Sequence, residues 1–365
     1  MSVKPIALYL PQYHPIPEND EWWGEGFMEW TNVRKAAPRF HGHYQPHVPG
    51  DLGYYDLRQM EVMVAQAALA KAYGVYGFCY YHYWFNGKLL LQHPLEQMLA
   101  LGKPDMPFCL CWANENWSRR WDGREQDLLI EQQYSLEDDR EHIRYLLPFF
   151  RDDRYIKIDG KPVYVMYRPE LHPQIKAAAD LWQEEVRQAG FDGLYLVSVE
   201  NFTKWVNPAT YGFDAAMEFA PDFPSHGPKY LKRYPIKYLI NKWLHSLKLH
   251  KSGFFDNRVY SYDTLVDNTL NKPPADYKQF RSVCPSWDNS ARRQVDATIF
   301  HGSTPLKFKS WVQEIAAYTA TRFEGDEQLF FINAWNEWGE GCHLEPDQRF
   351  GLDYLQALKE GVSKK

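Results

Sequence analysis

The sequence predicts an α/β protein in which residues 1–365 form a single domain, a (β/α)₈ TIM barrel. Three observations support this fold. Eight short apolar runs recur along the chain, helical patterns separate many of them, and long polar insertions follow two of them. Strand–helix alternation is typical of a parallel sheet, and about eight such strands in a chain of 365 residues favour a closed barrel with enlarged loops.

The predicted strands are short and rich in β-branched, aromatic and other apolar residues, as expected for parallel strands buried on both faces. In chain order they are residues 6–10, 75–81, 108–112, 163–167, 194–199, 215–219, 282–284 and 329–334. The sixth and seventh runs are the weaker ones. We expect the eighth strand to end near Trp335.

Helical patterns occupy residues 57–73, 135–150, 173–189 and 303–323. The first of them has Asp56 as its candidate N-cap and Gly74 just past its end. A doubly wound sheet is the alternative architecture, but it usually carries a glycine-rich phosphate loop after its first strand. Here the first strand is followed by Pro11-Gln12-Tyr13-His14, which lacks the glycines of such a loop.

Two long insertions, residues 15–53 and 221–280, follow the first and sixth predicted strands. Excursions after barrel strands lie at the C-terminal face, where barrel enzymes place their active sites. We therefore expect both insertions to border a functional site.

Charge and composition exclude several classes of partner. The net charge is −6 and no basic stripe is visible, so we expect no nucleic-acid partner. The Lys-rich stretch 229–251 is interpreted as a solvated helix face, with contact to a membrane surface as the alternative.

The same properties bear on cellular location. No apolar run reaches the roughly 20 residues needed to span a bilayer, and the chain enters its first predicted strand without room for a signal peptide. We therefore expect a cytoplasmic protein without a membrane span. The five cysteines are an odd number, which argues against a full disulfide framework.

Aromatic residues are unusually abundant, with 14 Trp, 25 Tyr and 21 Phe. Several stand beside Asn, Glu and His at the ends of predicted strands. Sugars pack their C–H faces on aromatic rings and need hydrogen bonds for their hydroxyls, so this mixture indicates a carbohydrate partner.

Polar and aromatic clusters follow almost every predicted strand. Because the C-terminal ends of barrel strands meet at one face, these clusters predict a single aromatic-lined pocket. The candidate substrate-binding residues are Tyr13, His14, Trp30, Tyr81, His82, Trp84, Asn114, Glu115, Trp117, Arg119, Trp121, Glu200, Glu218, Trp287, Asp288, Trp335, Asn336, Trp338, His343 and Glu345.

Glu337 and Glu340, just after the eighth strand, are the candidate catalytic pair. Acetal cleavage needs one carboxyl to protonate the leaving oxygen and another to act as nucleophile or base. Gly339 and Gly341 would let the chain turn so that both side chains face inward. The alternative is a pair of loop acids that cap a helix or bind an arginine.

Other chemistries have weaker support. His14, His82, Glu115, Glu218 and His343 could ligate a metal, but no H-E-x-x-H or similar spacing is present. The G-x-S-x-G turn of serine hydrolases is also absent. The sequence thus predicts neither a metal nor another cofactor.

Several motifs resemble those of the WbsX-like family, whose members are named glycosyltransferases and which is related to glycoside hydrolase family 99. The resemblance covers most of the chain. The matching segments are 9–15 (YLPQYHP), 22–33 (WWGEGFMEWTNV), 78–85, 111–122 and 333–347 (NAWNEWGEGCHLEPD).

The resemblance implies a (β/α)₈ barrel and a retaining mechanism on α-linked mannose-type glycans. It implies that Glu337 is the base for the 2-hydroxyl of the substrate, which attacks the anomeric carbon to give a 1,2-anhydro sugar. Glu340 would protonate the leaving group and then activate the incoming water or sugar. Cys342-His343 stands where the family 99 hydrolases tend to have Thr-Gln, so the neighbouring subsite is expected to differ.

Three functions compete at this stage. A retaining glycoside hydrolase acting on a bacterial polysaccharide is favoured by the paired glutamates. A glycosyltransferase or transglycosylase of polysaccharide or O-antigen biosynthesis is the alternative that the family name indicates. A non-catalytic glycan-binding barrel is the third, and it would normally have lost one glutamate.

Overall fold

A computed structural model describes residues 3–119, 124–201, 205–247, 253–293 and 295–363. Its main sheet is parallel, apart from two short antiparallel strands at its margins. The barrel strands are β1 (Lys4–Tyr9), β2 (Gly77–Phe85), β3 (Phe108–Trp112), β4 (Lys161–Met166), β5 (Tyr195–Glu200), β6 (Ala215–Glu218), β7 (Gln279–Phe280 with Ser282–Val283) and β8 (Leu329–Ile332).

The short strand β7 closes the sheet into a barrel. Its first half, Gln279–Phe280, pairs in parallel with β6, and its second half, Ser282–Val283, pairs in parallel with β8. β8 in turn pairs with β1, and the remaining strands follow in chain order. The prediction of a (β/α)₈ barrel is therefore confirmed, including its two weakest strands.

Helices surround this sheet. They are α1 (Pro17–Trp23), α2 (Glu29–Lys35), α3 (Met60–Ala72), α4 (His93–Leu101), α5 (Leu136–Arg151), α6 (Ile175–Gln188), α7 (Pro235–Ser246), α8 (Tyr262–Leu270), α9 (Pro305–Arg322) and α10 (Asp353–Val362). None of the helices in the described ranges is long and apolar enough to cross a membrane.

Local sequence explains where several helices begin. The Ser135 side chain accepts a hydrogen bond from the Asp138 backbone N–H at the start of α5, and Thr304 caps α9 in the same way. The expected N-cap Asp56 is wrong. Its carboxylate instead binds Arg58, and α3 starts only at Met60. The strand β8 also ends at Ile332, before the expected Trp335.

The two insertions contain structure of their own. Residues 15–53 carry the short helices α1 and α2, and residues 221–280 carry α7, the strand Arg258–Ser261 and α8. The predicted end of the second insertion is too late, because Gln279–Phe280 already belongs to the barrel strand β7. Arg258–Ser261 pairs in parallel with Thr298–His301 outside the barrel. After β8, Asn336–Glu337 pairs antiparallel with Cys342–His343, so the chain folds back over the barrel end.

Packing of the barrel interior predicts the effect of a core truncation. Leu110, in the middle of β3, has no exposed surface. Leu110→Ala should lower the free energy of unfolding by about 2–5 kcal/mol, because it removes buried methyl groups and leaves a cavity. Leu101→Ala is the control, since Leu101 is 53% exposed at the end of α4 and should change stability by less than about 0.5 kcal/mol. Equal losses in denaturant titrations would contradict this packing.

Candidate active site

Glu337 and Glu340 meet on one guanidinium group. Arg292 places Nη2 2.8 Å from Oε2 of Glu337 and Nη1 2.9 Å from Oε1 of Glu340. Its Nε donates to Oε1 of a third carboxyl, Glu29, at 2.7 Å. A single planar cation thus holds three carboxyl groups, a geometry that suits the fork of N–H donors on arginine.

The loop after β8 delivers both glutamates to Arg292. Glu337 ends the short strand Asn336–Glu337, and Glu340 ends a 3₁₀ turn, Trp338–Glu340. Gly341 follows with a left-handed φ of +55°, a conformation that glycine adopts at low cost. A Cβ atom on Gly339 would lie 1.7 Å from Oε1 of Glu29, so this position has no room for a side chain.

Sequence reasoning missed Glu29 and Arg292. Glu29 is the first residue of α2 in the first long insertion, and it is fully buried. Arg292 follows the short turn Asn289–Ala291 after β7. One signal was available, because buried carboxylates need a cation and Arg292 lies four residues beyond the predicted Asp288.

Burial raises the pKa of both catalytic candidates. The pKa of Glu337 rises to about 8, since loss of solvent and the charges of Glu340 and Glu29 outweigh the opposing effect of Arg292. The pKa of Glu340 is also raised, again mainly by burial. Glu337 and Glu340 therefore retain a proton more readily than ordinary glutamates do. Neighbouring carboxyl groups with raised pKa values are suited to acid–base exchange.

Strand β2 presents tyrosines to this cluster. Tyr81 and Tyr83 are two residues apart and lie on one face of β2, and the pKa of each is raised by burial with a contribution from the negative charge of Glu337. Tyr83 was missed by the sequence analysis, although alternation along a strand puts residues two apart on the same face. Trp117, beyond β3, packs edge-on against Tyr83 with ring centroids 5.2 Å apart.

His82 and Trp84 lie on the opposite face of β2. Their side chains contact α5, where His82 Nε2 is 2.8 Å from His142 Nε2 and Trp84 Nε1 donates to Asp138 at 2.9 Å. Both are almost fully buried between barrel and helix, and burial lowers the pKa of His82 to about 3. The structure does not bring these two predicted residues to the glutamates.

Two residues after β3, Asn114 and Glu115, differ in what they contact. Asn114 is fully buried and exchanges hydrogen bonds of 2.8 Å with the backbone N–H and carbonyl of Arg168, which joins the ends of β3 and β4. Glu115 pairs with the Arg168 guanidinium, and its charge contributes to the raised pKa of Glu340. Glu115 is therefore near the cluster, whereas Asn114 holds the strand ends together.

Trp121 and the side chain of Arg119 lie outside the described part of the chain. Their predicted contact with substrate stays a prediction.

Another buried carboxyl, that of Glu345, anchors the loop after β8. It accepts hydrogen bonds from Trp338 Nε1 at 2.6 Å, Gln66 Nε2 at 2.6 Å and the Tyr55 hydroxyl at 2.8 Å. Burial raises its pKa to about 7. Tyr55 and Gln66 precede β2 in the chain, whereas Trp338 belongs to the loop after β8. Glu345 therefore fixes the position of Trp338, which lies between Glu337 and Glu340 in the sequence.

Tyr13 and Asn336 attach the same loop to the end of β1. The Tyr13 hydroxyl donates to the Asn336 carbonyl and accepts from the Trp338 backbone N–H at 3.2 Å. The Asn336 side chain bonds both the N–H and the carbonyl of Leu10. The other predicted residues of this layer are also buried, namely Trp30, Trp335 and His343. In this conformation the layer has little surface to offer a ligand.

Glu200 and Glu218 occupy neighbouring positions on β5 and β6. Glu218 is buried in ion pairs with Arg281 at 2.8 Å and Lys272 at 2.6 Å. Glu200 is half-buried and accepts hydrogen bonds from Tyr277 and Gln279. Both carboxyl groups are thus already engaged by neighbouring side chains.

Asp288 and Trp287 lie beside the glutamate cluster, and His14 is buried apart from it. The Asp288 backbone N–H donates to the Glu340 carbonyl at 2.6 Å, and its carboxylate binds His43 at 2.6 Å. Trp287 packs edge-on against Phe223 at 5.3 Å. His14 is only 2% exposed, and burial lowers its pKa to about 4.

A cavity of about 110 Å³ adjoins the glutamate loop. Gly341, Asp288 and His343 line it, together with His47 and Asp347. Within the described ranges, His47, His343 and Asp347 are the group of side chains whose ligand atoms come close enough to hold a metal, all within 4.8 Å of one another. His47 Nδ1 and His343 Nε2 already share a hydrogen bond of 2.8 Å.

The family of the chain follows from its sequence. The family model described as Glycosyltransferase WbsX matches residues 5–358. The chain belongs to this family. Similar proteins include WxcX from two strains of Xanthomonas campestris pv. campestris, each 40% identical over 359 residues. That alignment covers 98% of this chain and 49% of the relative, so the chain spans about half the length of these curated relatives.

Solved structures share the barrel of this WbsX chain. A glycoside hydrolase-like protein superimposes with a TM-score of 0.60 at 14% identity, covering 100% of this chain and 95% of the other. The family 99 endo-α-mannosidase of Bacteroides thetaiotaomicron superimposes with a TM-score of 0.55 at 15% identity, covering 98% and 96%. At these identities the likeness establishes the fold.

Removing the shared cation should destabilise the WbsX chain strongly. Arg292→Met leaves Glu29, Glu337 and Glu340 buried without their guanidinium, which should cost about 3–5 kcal/mol of unfolding free energy near neutral pH. The control is Arg140→Met, since Arg140 is half-exposed and its partner Glu185 keeps a second arginine. That change should cost less than about 1 kcal/mol. Similar losses for the two variants would show that Arg292 does not carry this cluster.

The raised pKa of Glu337 predicts how stability depends on pH. Its folded pKa of about 8 exceeds the ordinary value of 4.5, so the folded state binds the proton more tightly than the unfolded state does. This contribution is full below about pH 4.5 and is lost as the pH rises towards 8. Stability should therefore fall more steeply across this range in the wild type than in Glu337→Gln. Parallel pH profiles of the two proteins in denaturant titrations would contradict the shift.

Proposed function

We propose that this WbsX chain is a retaining glycoside hydrolase that acts on a bacterial polysaccharide or oligosaccharide, with Glu337 and Glu340 as its catalytic carboxyl groups. One observation carries the proposal. Arg292 holds both carboxyls, which burial shifts to higher pKa, at the end of β8 where barrel enzymes place their chemistry. The sugar is proposed to be of mannose or rhamnose type in α-linkage, in keeping with the endo-α-mannosidase of the same fold.

The proposed first step uses the 2-hydroxyl of the substrate as the nucleophile. Glu337 takes the proton of this hydroxyl as O2 attacks the anomeric carbon, and a raised pKa makes Glu337 a stronger proton acceptor once it is ionised. The bond to the leaving oxygen breaks as Glu340 donates its proton to that oxygen. The products of this step are a 1,2-anhydro sugar and the released alcohol.

The second step reverses the proton transfers. Glu340, now a carboxylate, removes a proton from an incoming water molecule, whose oxygen attacks the anomeric carbon and opens the three-membered ring. Glu337 returns its proton to O2. Two inversions give net retention of configuration. Arg292 acts here as a positioning residue, because its three contacts fix the separation of the carboxyl groups while their charges change.

Glycosyl transfer is the second candidate, and the name of the WbsX family favours it. Transfer from a nucleotide sugar would differ in both steps, since a nucleoside diphosphate leaves in the first and a sugar hydroxyl replaces water in the second. Purified protein should therefore be tested on a glycan panel with and without nucleotide-sugar donors. Release of reducing sugar without a donor supports hydrolysis, and product formation that requires a donor overturns it in favour of transfer.

Substitution of the two glutamates tests their separate roles. Glu337→Gln and Glu340→Gln should each reduce turnover by roughly 10²–10⁴-fold while substrate binding persists, because Gln keeps the shape but cannot exchange a proton. A substrate with a good leaving group needs little acid help, so it should restore the first step of Glu340→Gln and not that of Glu337→Gln.

Two controls accompany this comparison. Glu185→Gln, on the outer helix α6, should keep wild-type turnover. A 2-deoxy substrate should be almost inert with the wild-type enzyme, since it lacks the attacking hydroxyl. Rapid cleavage of the 2-deoxy substrate would exclude participation of the 2-hydroxyl and leave a glutamate as the direct nucleophile.

Metal dependence separates this mechanism from one that uses the His47, His343 and Asp347 group. Paired carboxyls cleave acetals without a metal, so turnover should survive dialysis against a chelator. The same assay on His47→Ala provides the control. Loss of turnover that a divalent cation restores in the wild type, but not in His47→Ala, would contradict the metal-free mechanism.

A further inference from the structure

Helix α7 carries an apolar stripe that faces away from the protein. Ile236, Leu239, Ile240 and Trp243 recur at helical spacing on one side of α7, and Leu247 continues this stripe in the turn directly after the helix. Their exposed fractions are 76%, 62%, 53%, 61% and 48% in the same order. Large apolar side chains are exposed singly on ordinary surfaces, so a continuous stripe of five marks an interaction site.

The other side of α7 makes the contact with the rest of the chain. Tyr238 and Asn241 are partly buried, and the Tyr238 ring lies 5.7 Å from the ring of Phe255. A surface helix normally turns its apolar side to the core. Here the strongly apolar side is the one left to solvent, so core packing does not account for it.

The segment around α7 is strongly basic. Residues 223–255 contain no Asp or Glu, in a chain whose net charge is −6. Its basic residues are Lys229, Lys232, Arg233, Lys237, Lys242, Lys248 and Lys251. The remainder of the chain is therefore markedly acidic, and the positive charge is concentrated in the segment of sequence that contains the apolar stripe.

This charge distribution selects among possible occupants of the stripe. A second copy of the chain, stripe against stripe, would bring two sets of basic residues together at an interface, where like charges are unfavourable. An anionic lipid surface instead complements both features, since its headgroups attract lysine and its acyl boundary accepts Ile, Leu and Trp. At 1.5 Å per residue α7 is about 18 Å long, which suits a helix lying in the interface rather than crossing it.

We propose that α7 is a membrane-surface helix that binds anionic lipid bilayers, with Ile236, Leu239, Ile240, Trp243 and Leu247 inserted at the headgroup boundary. The insertion that contains α7 leaves the barrel after β6, at the end where β8 delivers the glutamate pair. Bilayer contact therefore positions this end of the barrel near the lipid surface. The inference is independent of which glycosidic reaction the glutamates perform.

Vesicle flotation of the purified full chain tests the proposal. The chain should bind vesicles of phosphatidylcholine with phosphatidylglycerol and should bind pure phosphatidylcholine much more weakly. Added salt should weaken the binding, because it screens the attraction between lysine and headgroup. Lys232→Gln and Lys242→Gln should each lower the vesicle partition coefficient by about fivefold.

Substitutions in the stripe test the apolar contribution. Ile240→Ser and Trp243→Ser should each lower partitioning by about tenfold or more, since each removes a large side chain from the lipid boundary. Leu306→Ser is the matched control, because Leu306 is 72% exposed on α9, outside the stripe, and should leave partitioning unchanged. Circular dichroism and thermal melts establish that all variants are folded.

Three results would overturn the proposal. The first is failure of the wild type to bind anionic vesicles. The second is equal binding by wild type and the two stripe variants. The third is a dimer in size-exclusion chromatography that Ile240→Ser or Trp243→Ser dissociates while vesicle binding is absent, which would assign the stripe to a second copy of the chain.

Discussion

The contact of one guanidinium with three carboxyl groups is the constraint on which the site depends. Arg292 lies after β7, Glu29 lies in the insertion after β1, and Glu337 and Glu340 lie in the loop after β8. The contacts with Arg292 form only if all three segments are correctly placed. The missing side chain at Gly339, the hydrogen-bonded Glu345 and the Tyr13 hydroxyl all serve to hold that arrangement.

Electrostatics gives this arrangement its chemical character. A buried carboxylate without a cation would be too costly, and a carboxylate fully neutralised by one arginine would be a weak base. Three carboxyls sharing Arg292 fall between these limits. Burial, with a further contribution from the neighbouring negative charges, raises the proton affinity of Glu337 and Glu340, and the cation partly offsets this effect. The carboxyl groups repel one another, and this repulsion must be opposed by a rigid backbone. The many hydrogen bonds made by the loop after β8 provide that rigidity.

The barrel was well predicted because the length of each apolar run and the periodicity of each helical segment are local properties of the sequence. Eight apolar runs marked the strands, even the short β7, and the glutamate pair was evident from its position after the last run. Which side of a strand a residue occupies was harder to predict. His82 and Trp84 were predicted to bind substrate, but their side chains contact α5. Tyr83, between them, was not predicted. Arg292 and Glu29 could not be paired in advance, because their contact spans 263 residues of sequence.

Closure through β7 has a consequence for how the protein is made. During synthesis β1 emerges long before β8, and the two strands can pair only after Leu329–Ile332 has left the ribosome. Until then Glu29 has neither its arginine nor its companion carboxyls in place. A nascent chain that stops before β8 therefore cannot assemble the cluster, and the three carboxyl groups meet on Arg292 in the same event that closes the barrel.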